Sequence, residues 1–394
     1  MDDTTRLYGF LALAHLALLA GYLTGIRRPA RAYAGGWRVD RLVLLCVVAQ
    51  ALVFFPTSSL YTGSPIPDVL AGLSSPGDAY LTTVKLRDAS MPLVAYARIL
   101  VGPLLSALLP LTVFYWAELP RRLRWGGAAC TLGVVSTFIA MGTNKAIADT
   151  VLLTGFLLVV SAMARRIRFA WRRHWSTALL VPLALVLMLG FFAEGQRTRD
   201  GSPAAFGVFP AAGASVDASA DWMDELSPQA KIGYLGISFY LTHGYYALYL
   251  ALDKPFVPMF GVGNSMFLYR QAARITGDDT IERMPYPARI EADGWDAMTL
   301  WSTIYPWIAS DVTFEGTLLV VFLIGRVFAS SYLDTLDGGN PFAVAMFSQL
   351  VIMLFYFPAN NQCLQSGESW TAFWATLGIW TYTRRRAPPS ARWL

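Results

Sequence analysis

Charged side chains are scarce in this chain. Asp, Glu, Lys and Arg make up 14% of the 394 residues, whereas hydrophobic residues make up 55%. That apolar share exceeds what a soluble core needs, so the composition predicts an integral membrane protein. The 31 Lys and Arg outnumber the 26 Asp and Glu. Because the basic residues fall in short loops, they indicate membrane orientation and not a nucleic-acid partner.

Metal-binding and nucleotide-binding patterns are missing as well. The three cysteines and three histidines are not spaced as a metal site or a disulfide framework. The P-loop, HExxH and GxSxG motifs are absent. The acid pair Glu291 and Asp293 could hold a divalent cation, but one such triplet in an acidic loop is expected by chance. The sequence therefore predicts no metal and no other cofactor.

Apolar runs of crossing length recur along the chain, each bounded by charge, Pro or Gly. A bilayer crossing takes about 20 residues, and a helix satisfies the backbone polar groups in lipid, so each run is predicted to be a helix. The runs lie at 7–25, 40–56, 92–117, 125–142, 147–164, 176–193, 233–251, 313–333, 341–357 and 369–383.

Arginine clusters predict the topology. They follow the first, third, fifth and last runs, which places those loops and the C-terminus in the cytoplasm and the N-terminus outside. The loops 194–232 and 281–311 are then both external, although only the run 233–251 separates them. Either Pro255–Ala272 crosses back, partly unwound around its glycines, or 233–251 is re-entrant. We favour the return crossing.

The predicted fold class is therefore all-α, a polytopic membrane protein with about 11 transmembrane helices. Residues 1–394 form one transmembrane domain, and two large external loops, 194–232 and 273–312, cap the active site. The two loops place the candidate site on the external side of the membrane.

The stretch Ile281–Asp311 is a long polar and aromatic interval in this apolar chain, and it holds the main candidate residues. Arg283 and Arg289 lie among acidic residues, and Trp301 and Tyr305 follow. Guanidinium groups bind diphosphate through paired hydrogen bonds, and flat rings stack on sugars. The alternatives are surface ion pairs with the neighbouring acids and an interfacial aromatic belt.

Further cations at predicted external positions are candidate substrate ligands. They are Arg197, Arg199, Lys145 and Arg98. An ammonium or guanidinium group near the membrane surface can meet a lipid phosphate, although Lys145 and Arg98 can also simply snorkel outward.

His243 is the only histidine predicted near the external face, so it is the first candidate for a general base. Asp311, Glu291 and Asp293 are second choices. The alternative is that His243 is a buried, hydrogen-bonded residue on an aromatic helix.

Several strings, taken in order, resemble the O-antigen polymerase (Wzy-type) family. They are MGTNKAIAD at 141–149, YLTHGYYALYLAL at 240–252, GVGNS at 261–265, STIYPWIASDVTFEG at 302–316 and PANNQCLQSGES at 358–369. The family carries a motif of arginine, ten residues and glycine in its large periplasmic loops. Arg283 and Gly294 have that spacing, whereas Arg197 reaches Gly207 across nine residues.

The resemblance implies an all-helical GT-C-like fold and a metal-independent glycosyltransferase of the bacterial inner membrane, with its active site facing the periplasm. Such an enzyme joins undecaprenyl-diphosphate-linked oligosaccharides, which serve as donor and acceptor, and a chain-length regulator protein is an expected partner. An O-antigen ligase, which transfers the lipid-linked glycan to lipid A-core, shares the donor and the fold. A polysaccharide or lipid transporter is the alternative from another class.

Overall fold

A computed structural model describes residues 3–88, 92–164, 183, 186, 189–195, 208–209, 214–215, 221–295, 300–337 and 339–385. The chain divides into two compact units. Unit 1 comprises Met1–Gly36 and Tyr240–Leu394, and unit 2 comprises Trp37–Phe239.

Helices dominate the described residues. In chain order they are α1 (Asp3–Ile26), α2 (Val39–Thr62), α3 (Val69–Ser74), α4 (Pro76–Asp88), α5 (Pro92–Phe114), α6 (Arg121–Ala140), α7 (Lys145–Met163), α8 (Asp221–Asp224), α9 (Pro228–Leu252), α10 (Met266–Thr276), α11 (Tyr286–Arg289), α12 (Ile304–Leu336), α13 (Pro341–Phe355) and α14 (Gly367–Thr383). The strands are β1 (Ala32–Tyr33), β2 (Val208–Phe209), β3 (Ala214–Ser215) and β4 (Arg384–Arg385), with β1 antiparallel to β4 and β2 antiparallel to β3.

Six of the described helices are long and apolar enough to cross a membrane, namely α1, α2, α5, α6, α7 and α12. They correspond to six of the predicted runs, and they confirm an all-α protein that associates with a bilayer. The run 176–193 lies largely outside the described residues. The total number of crossings and the GT-C-like arrangement stay predictions.

In unit 2, α2 packs against α5 and α6, and α7 packs against α5. Pro103 and Pro110 lie inside α5. The Ser161 hydroxyl, buried on α7, donates to the Phe114 carbonyl of α5. These contacts make unit 2 a bundle of apolar helices.

In unit 1, α1 and α12 run parallel and in close contact. Phe10 packs on Tyr305 and Phe314 near the start of both helices. Further along, a Cβ on Gly21 would lie 1.9 Å from the Phe322 carbonyl oxygen, and a Cβ on Gly325 would lie 2.2 Å from that of Leu18. Small residues let helix backbones approach in lipid, where van der Waals packing drives association. The glycines therefore set the distance between α1 and α12.

Gly21→Ala is expected to lower the free energy of unfolding by roughly 1–3 kcal/mol, because the new methyl group would overlap the α12 backbone. Thermal denaturation of the detergent-purified protein, followed by size-exclusion chromatography, measures the loss. Gly9→Ala on the same helix is the matched control, since nothing lies within 4 Å of its added Cβ. Equal stability of the two variants would contradict the close packing.

A cluster around Asp334 holds the far end of the α1–α12 pair together. The Asp334 side chain is fully buried and accepts hydrogen bonds from the Arg31 backbone N–H (2.8 Å), Trp380 Nε1 (3.0 Å) and Arg384 Nε (2.7 Å). The Arg384 guanidinium also lies 4.4 Å from the centre of the Trp380 ring. This cluster joins the segment after α1, the end of α12 and the end of α14.

The predicted return crossing over Pro255–Ala272 is wrong. Arg6 Nη1, at the start of α1, lies 3.0 Å from Asp253 Oδ1, so the chain reaches the N-terminal end of α1 before this segment begins. The segment then forms turns up to Ser265, followed by the 11-residue α10. Such a helix is about 16 Å long, against about 30 Å for the hydrocarbon core. Asp253 and the segment after it therefore lie at the end of unit 1 where α1 begins.

Candidate functional site

The candidate site lies in unit 1, at the end where α1 and α12 begin. It is formed by the C-terminal half of α9, the turns of Asp253–Ser265, the polar segment 278–295, the start of α12 and the connection between α13 and α14. A break inside α12 marks its boundary. Thr313 has φ 67° and ψ 171°, and its hydroxyl oxygen accepts from the Gly316 N–H. The apolar run predicted to begin at Thr313 therefore corresponds to the second part of α12, which begins at this break.

His243 lies at the meeting point of three segments. Its neighbour Gly244 leaves no room for a side chain, because a Cβ there would lie 2.1 Å from the Pro358 carbonyl oxygen. The Thr303 N–H donates to the Gly244 carbonyl at 3.3 Å. This close approach brings α9 against the segments around Thr303 and Pro358, and it buries His243 to 7% exposure.

The ring of Trp295 covers one side of His243. The Trp295 ring stacks on the imidazole with centroids 6.1 Å apart, and it also contacts Tyr246 at 5.2 Å. Trp295 is 2% exposed, and its buried indole N–H has no hydrogen-bond partner in the part of the chain that the structure describes. The polar segment thus folds its first tryptophan onto the helix that carries the candidate base.

Arg289 lies at the end of α11, and only part of its guanidinium group contacts other described residues. Its Nη1 donates to the Pro255 carbonyl at 2.7 Å, and its guanidinium carbon lies 4.5 Å from the centre of the Tyr286 ring. Nε and Nη2 are buried and have no hydrogen-bond partner among the described residues. Buried donors without partners are costly, so these two nitrogens favour an anionic or polar ligand.

Arg289 and Tyr286 influence each other's pKa. Burial lowers the pKa of the Arg289 guanidinium, and Tyr286 opposes that change. Burial raises the pKa of the Tyr286 phenol, and Arg289 opposes that change in turn. Near neutral pH the guanidinium stays protonated and the phenol neutral.

Arg283 is exposed at the end of the 3-10 turn Asp279–Arg283. The neighbouring Glu282, the obvious acid for a surface pair, instead lies 3.9 Å from Arg270 Nε. Among the described residues, Arg283 has no ion-pair partner. Its guanidinium is therefore available to a ligand.

The acid pair Glu291 and Asp293 does not form a cation site here. Lys254 Nζ lies 2.7 Å from Asp293 Oδ2 and 2.8 Å from Oδ1, so the Asp293 carboxylate is neutralised by an ammonium group. Glu291 is exposed. In the part of the chain that the structure describes, no three His, Cys, Asp or Glu side chains cluster as metal ligands.

The Asp311 carboxylate accepts hydrogen bonds from a neighbouring loop, which makes it less suited to act as a general base. Its carboxylate accepts from the backbone N–H groups of Gly261 (2.8 Å), Gly263 (2.9 Å) and Asn264 (2.9 Å). The Asn264 side chain donates a fourth bond at 2.6 Å. Four donors occupy its lone pairs, so Asp311 holds a loop in place.

The other predicted residues are dispersed. Tyr305 is buried between Phe10 and Phe357, so it is a packing residue, and Trp301 is half-buried. Lys145 pairs with Asp149, and Arg98 donates to the Thr57 hydroxyl at 2.8 Å; both lie in unit 2. Arg197 and Arg199 lie outside the described residues.

Three side-chain amides that were not among the predicted site residues lie next to one another in unit 1. The Asn361 amide donates to the Asn264 carbonyl at 2.9 Å, and Gln365 Oε1 accepts from the Met266 N–H at 3.1 Å. Each of the three also has a buried polar atom without a partner among the described residues: Asn264 Oδ1, Asn361 Oδ1 and Gln365 Nε2. The signals in the sequence are the turn GVGNS and the polar turn PANNQ next to an apolar helix.

Comparison of the chain with protein-family models, with curated proteins and with solved structures returns no match. What this site does is therefore inferred from its geometry and from the sequence.

Proposed function

We propose that this chain is a membrane glycosyltransferase that polymerises undecaprenyl-diphosphate-linked oligosaccharide repeat units at the periplasmic face of the bacterial inner membrane. One lipid-linked glycan is the donor, and a sugar hydroxyl of a second is the nucleophile. The apolar helices support the bilayer as the place where both substrates are held. The resemblance of the ordered strings to O-antigen polymerases supports the reaction.

The observation that carries the proposal is the state of Arg289. A guanidinium that is anchored through Nη1 and Tyr286, with Nε and Nη2 unpaired, presents a fixed fork of donors. Such a fork matches two oxygens of a phosphate group. Arg283, exposed on the same polar segment, supplies a second cation.

In the proposed reaction the acceptor oxygen forms a bond to the anomeric carbon of the donor. The bond from that carbon to the diphosphate oxygen breaks, and its electron pair leaves with the lipid diphosphate. Negative charge grows on this leaving group, and preorganised arginines stabilise it most in a poorly hydrated site. The configuration at the anomeric carbon inverts in this single displacement.

The acceptor hydroxyl also has to lose a proton, and His243 is the proposed base. Its imidazole is buried against Trp295 and positioned by the close contact at Gly244. Asp293 and Asp311 are weaker candidates, because Lys254 neutralises the first and four hydrogen bonds occupy the second.

The test is reconstitution of the purified protein in lipid nanodiscs with a synthetic polyprenyl-diphosphate-linked repeat unit, with and without lipid A-core. A ladder of products from the repeat unit alone supports the polymerase. A single transfer that requires lipid A-core would indicate a ligase instead. Movement of the lipid across a vesicle membrane with no new glycosidic bond would indicate a transporter.

Turnover is expected to survive chelation of divalent cations, because Arg283 and Arg289 neutralise the leaving diphosphate. The measurement is product formation in EDTA compared with the same assay in Mg²⁺ or Mn²⁺. Loss of turnover in EDTA and its recovery with one specific cation would contradict this prediction and make the Glu291/Asp293 pair the better site.

A further inference from the structure

The turns that follow α9 form a loop of unusual construction. This loop, Pro255–Ser265, is defined here as the clamped loop, because the Asp311 carboxylate accepts hydrogen bonds from three of its backbone N–H groups and from the Asn264 side chain. The Asn264 amide also donates to the Gly261 carbonyl at 3.1 Å. One acidic side chain of α12 therefore fixes the tip of the loop.

The clamp holds Phe260 in a conformation that phenylalanine rarely adopts. Its φ is 51°, in the left-handed region, and the next residue, Gly261, has φ 93°. Positive φ is a genuine outlier for a bulky residue, and such strain persists only where the surroundings impose it. Yet the ring gains no burial in return, since Phe260 is 90% exposed. The nearby Phe256 is exposed as well.

The depth of the clamped loop follows from its contacts with the two apolar helices. Phe10 packs beside Phe314, so α1 and α12 are level there. Arg6, about one turn before Phe10, pairs with Asp253 just ahead of the loop. Asp311 lies two residues before the break at Thr313, where the apolar part of α12 begins. Both contacts place the loop at the end of the membrane span.

The faces of α1 and α12 that no described residue covers are mostly apolar up to this level, with His15 on α1 and Glu315 on α12 as exposed polar exceptions. On α1 the exposed side chains include Tyr8, Leu13 and Leu16, and on α12 they include Val312, Leu319 and Leu323. In a helix long enough to cross a membrane, such a face contacts lipid. The first exposed residue on α12, Val312, directly follows the clamping residue Asp311.

We propose that Phe260, together with Phe256 of the same loop, inserts into the bilayer at the membrane–water interface and anchors the clamped loop at a fixed depth. The partner is the phospholipid monolayer on the side where α1 begins. An exposed aromatic ring on a rigid loop at this level buries its apolar surface among acyl chains. This proposal does not depend on the reaction that the protein catalyses.

The experiment uses the full chain in nanodiscs, with Cys46, Cys130 and Cys363 replaced by alanine and one new cysteine labelled with a small fluorophore. Phe260→Cys reports the loop, and Asp279→Cys, an exposed polar position of the same unit, is the matched control. Phospholipids that carry a nitroxide near the headgroup are expected to quench the label at position 260 several-fold more strongly than the label at 279. Aqueous iodide should show the opposite order.

Release of the clamp gives a second readout. Asp311→Asn, combined with Phe260→Cys, removes the negative charge that holds the three N–H groups and is expected to lower quenching by the nitroxide lipid. Equal lipid quenching at 260 and 279 would overturn the proposal. So would quenching at 260 that appears only after a nitroxide-labelled polyprenyl diphosphate is added, because the ring would then contact the isoprenoid chain and not the bilayer.

Discussion

Arg289→Ala is expected to lower turnover of the lipid-linked substrate by about 100- to 1000-fold, the range found when one preorganised donor is removed from an oxyanion site. The variant loses the only guanidinium of the site whose Nε and Nη2 are buried and unpaired among the described residues. If the contact with the diphosphate tightens as charge develops on the leaving group, the loss falls on kcat more than on KM.

Arg289→Lys is expected to recover little of that loss. Lysine keeps the charge, but it offers one mobile point charge where arginine offers a rigid fork. The three N–H donors of lysine also share one nitrogen, so they cannot reproduce the planar pair of Nε and Nη2 while one of them keeps the Pro255 carbonyl bond. Steady-state kinetics of the alanine and lysine variants in nanodiscs measures both effects.

Two further variants separate ligand binding from folding. Arg283→Ala removes an exposed side chain, so it should leave thermal stability unchanged while it lowers turnover. Arg274→Ala removes another exposed arginine, at the end of α10, and should leave both unchanged. Wild-type turnover in a folded Arg289→Ala protein would remove Arg289 from the site.

The boundaries of the apolar helices could be read from the sequence because they depend on local composition. The predicted start of an apolar run at Thr313 coincides with the break in α12, although the helix itself begins at Ile304. Thr313 caps the apolar part because its hydroxyl can accept from the Gly316 N–H, three residues ahead. A capping signal of this kind involves residues within one helical turn of each other, so it can be recognised from the local sequence.

The error over Pro255–Ala272 arose from a contact that no local pattern shows. The stretch is apolar enough to suggest lipid, and its glycines suggested a broken helix. What determines its structure is the carboxylate of Asp311, nearly fifty residues away, which replaces helical hydrogen bonds for Gly261 and Gly263. A single acid next to an apolar run carries no sign of which backbone it will bind.

In the candidate site too, the sequence predicts features that depend on local composition but not contacts between distant residues. The polar segment and its arginines were recognisable from the charge pattern, and His243 from its position on an aromatic helix. The partners of the charged residues could not be recognised from the sequence. Arg289 binds the Pro255 carbonyl and Asp293 pairs with Lys254, and each contact joins residues more than thirty positions apart. The pairing with Lys254 is what separates Asp293 from Glu291, two acids that look alike in the sequence.

Asp334→Ala is expected to lower the free energy of unfolding by about 3–5 kcal/mol, the cost of removing one partner from a buried ion pair. Asp334 is fully buried, and three donors would lose their acceptor: the Arg31 backbone N–H, the Trp380 indole and the Arg384 guanidinium. The Arg384 charge would then lie beside the Trp380 ring without a counter-ion. Thermal denaturation of the detergent-purified protein measures the change.

The matched control is Asp337→Ala, one turn further along and exposed, which should change stability by less than about 0.5 kcal/mol. The double variant Asp334→Ala/Arg384→Ala is expected to be less destabilised than the sum of the two single variants, since no unpaired charge stays buried. Because Asp334 joins the segments after α1, α12 and α14, its loss should also expose the C-terminal segment to proteolysis before the rest of the chain. If the destabilisation of the double variant equals the sum of the two single variants, the ion pair is contradicted and Asp334 acts only through packing.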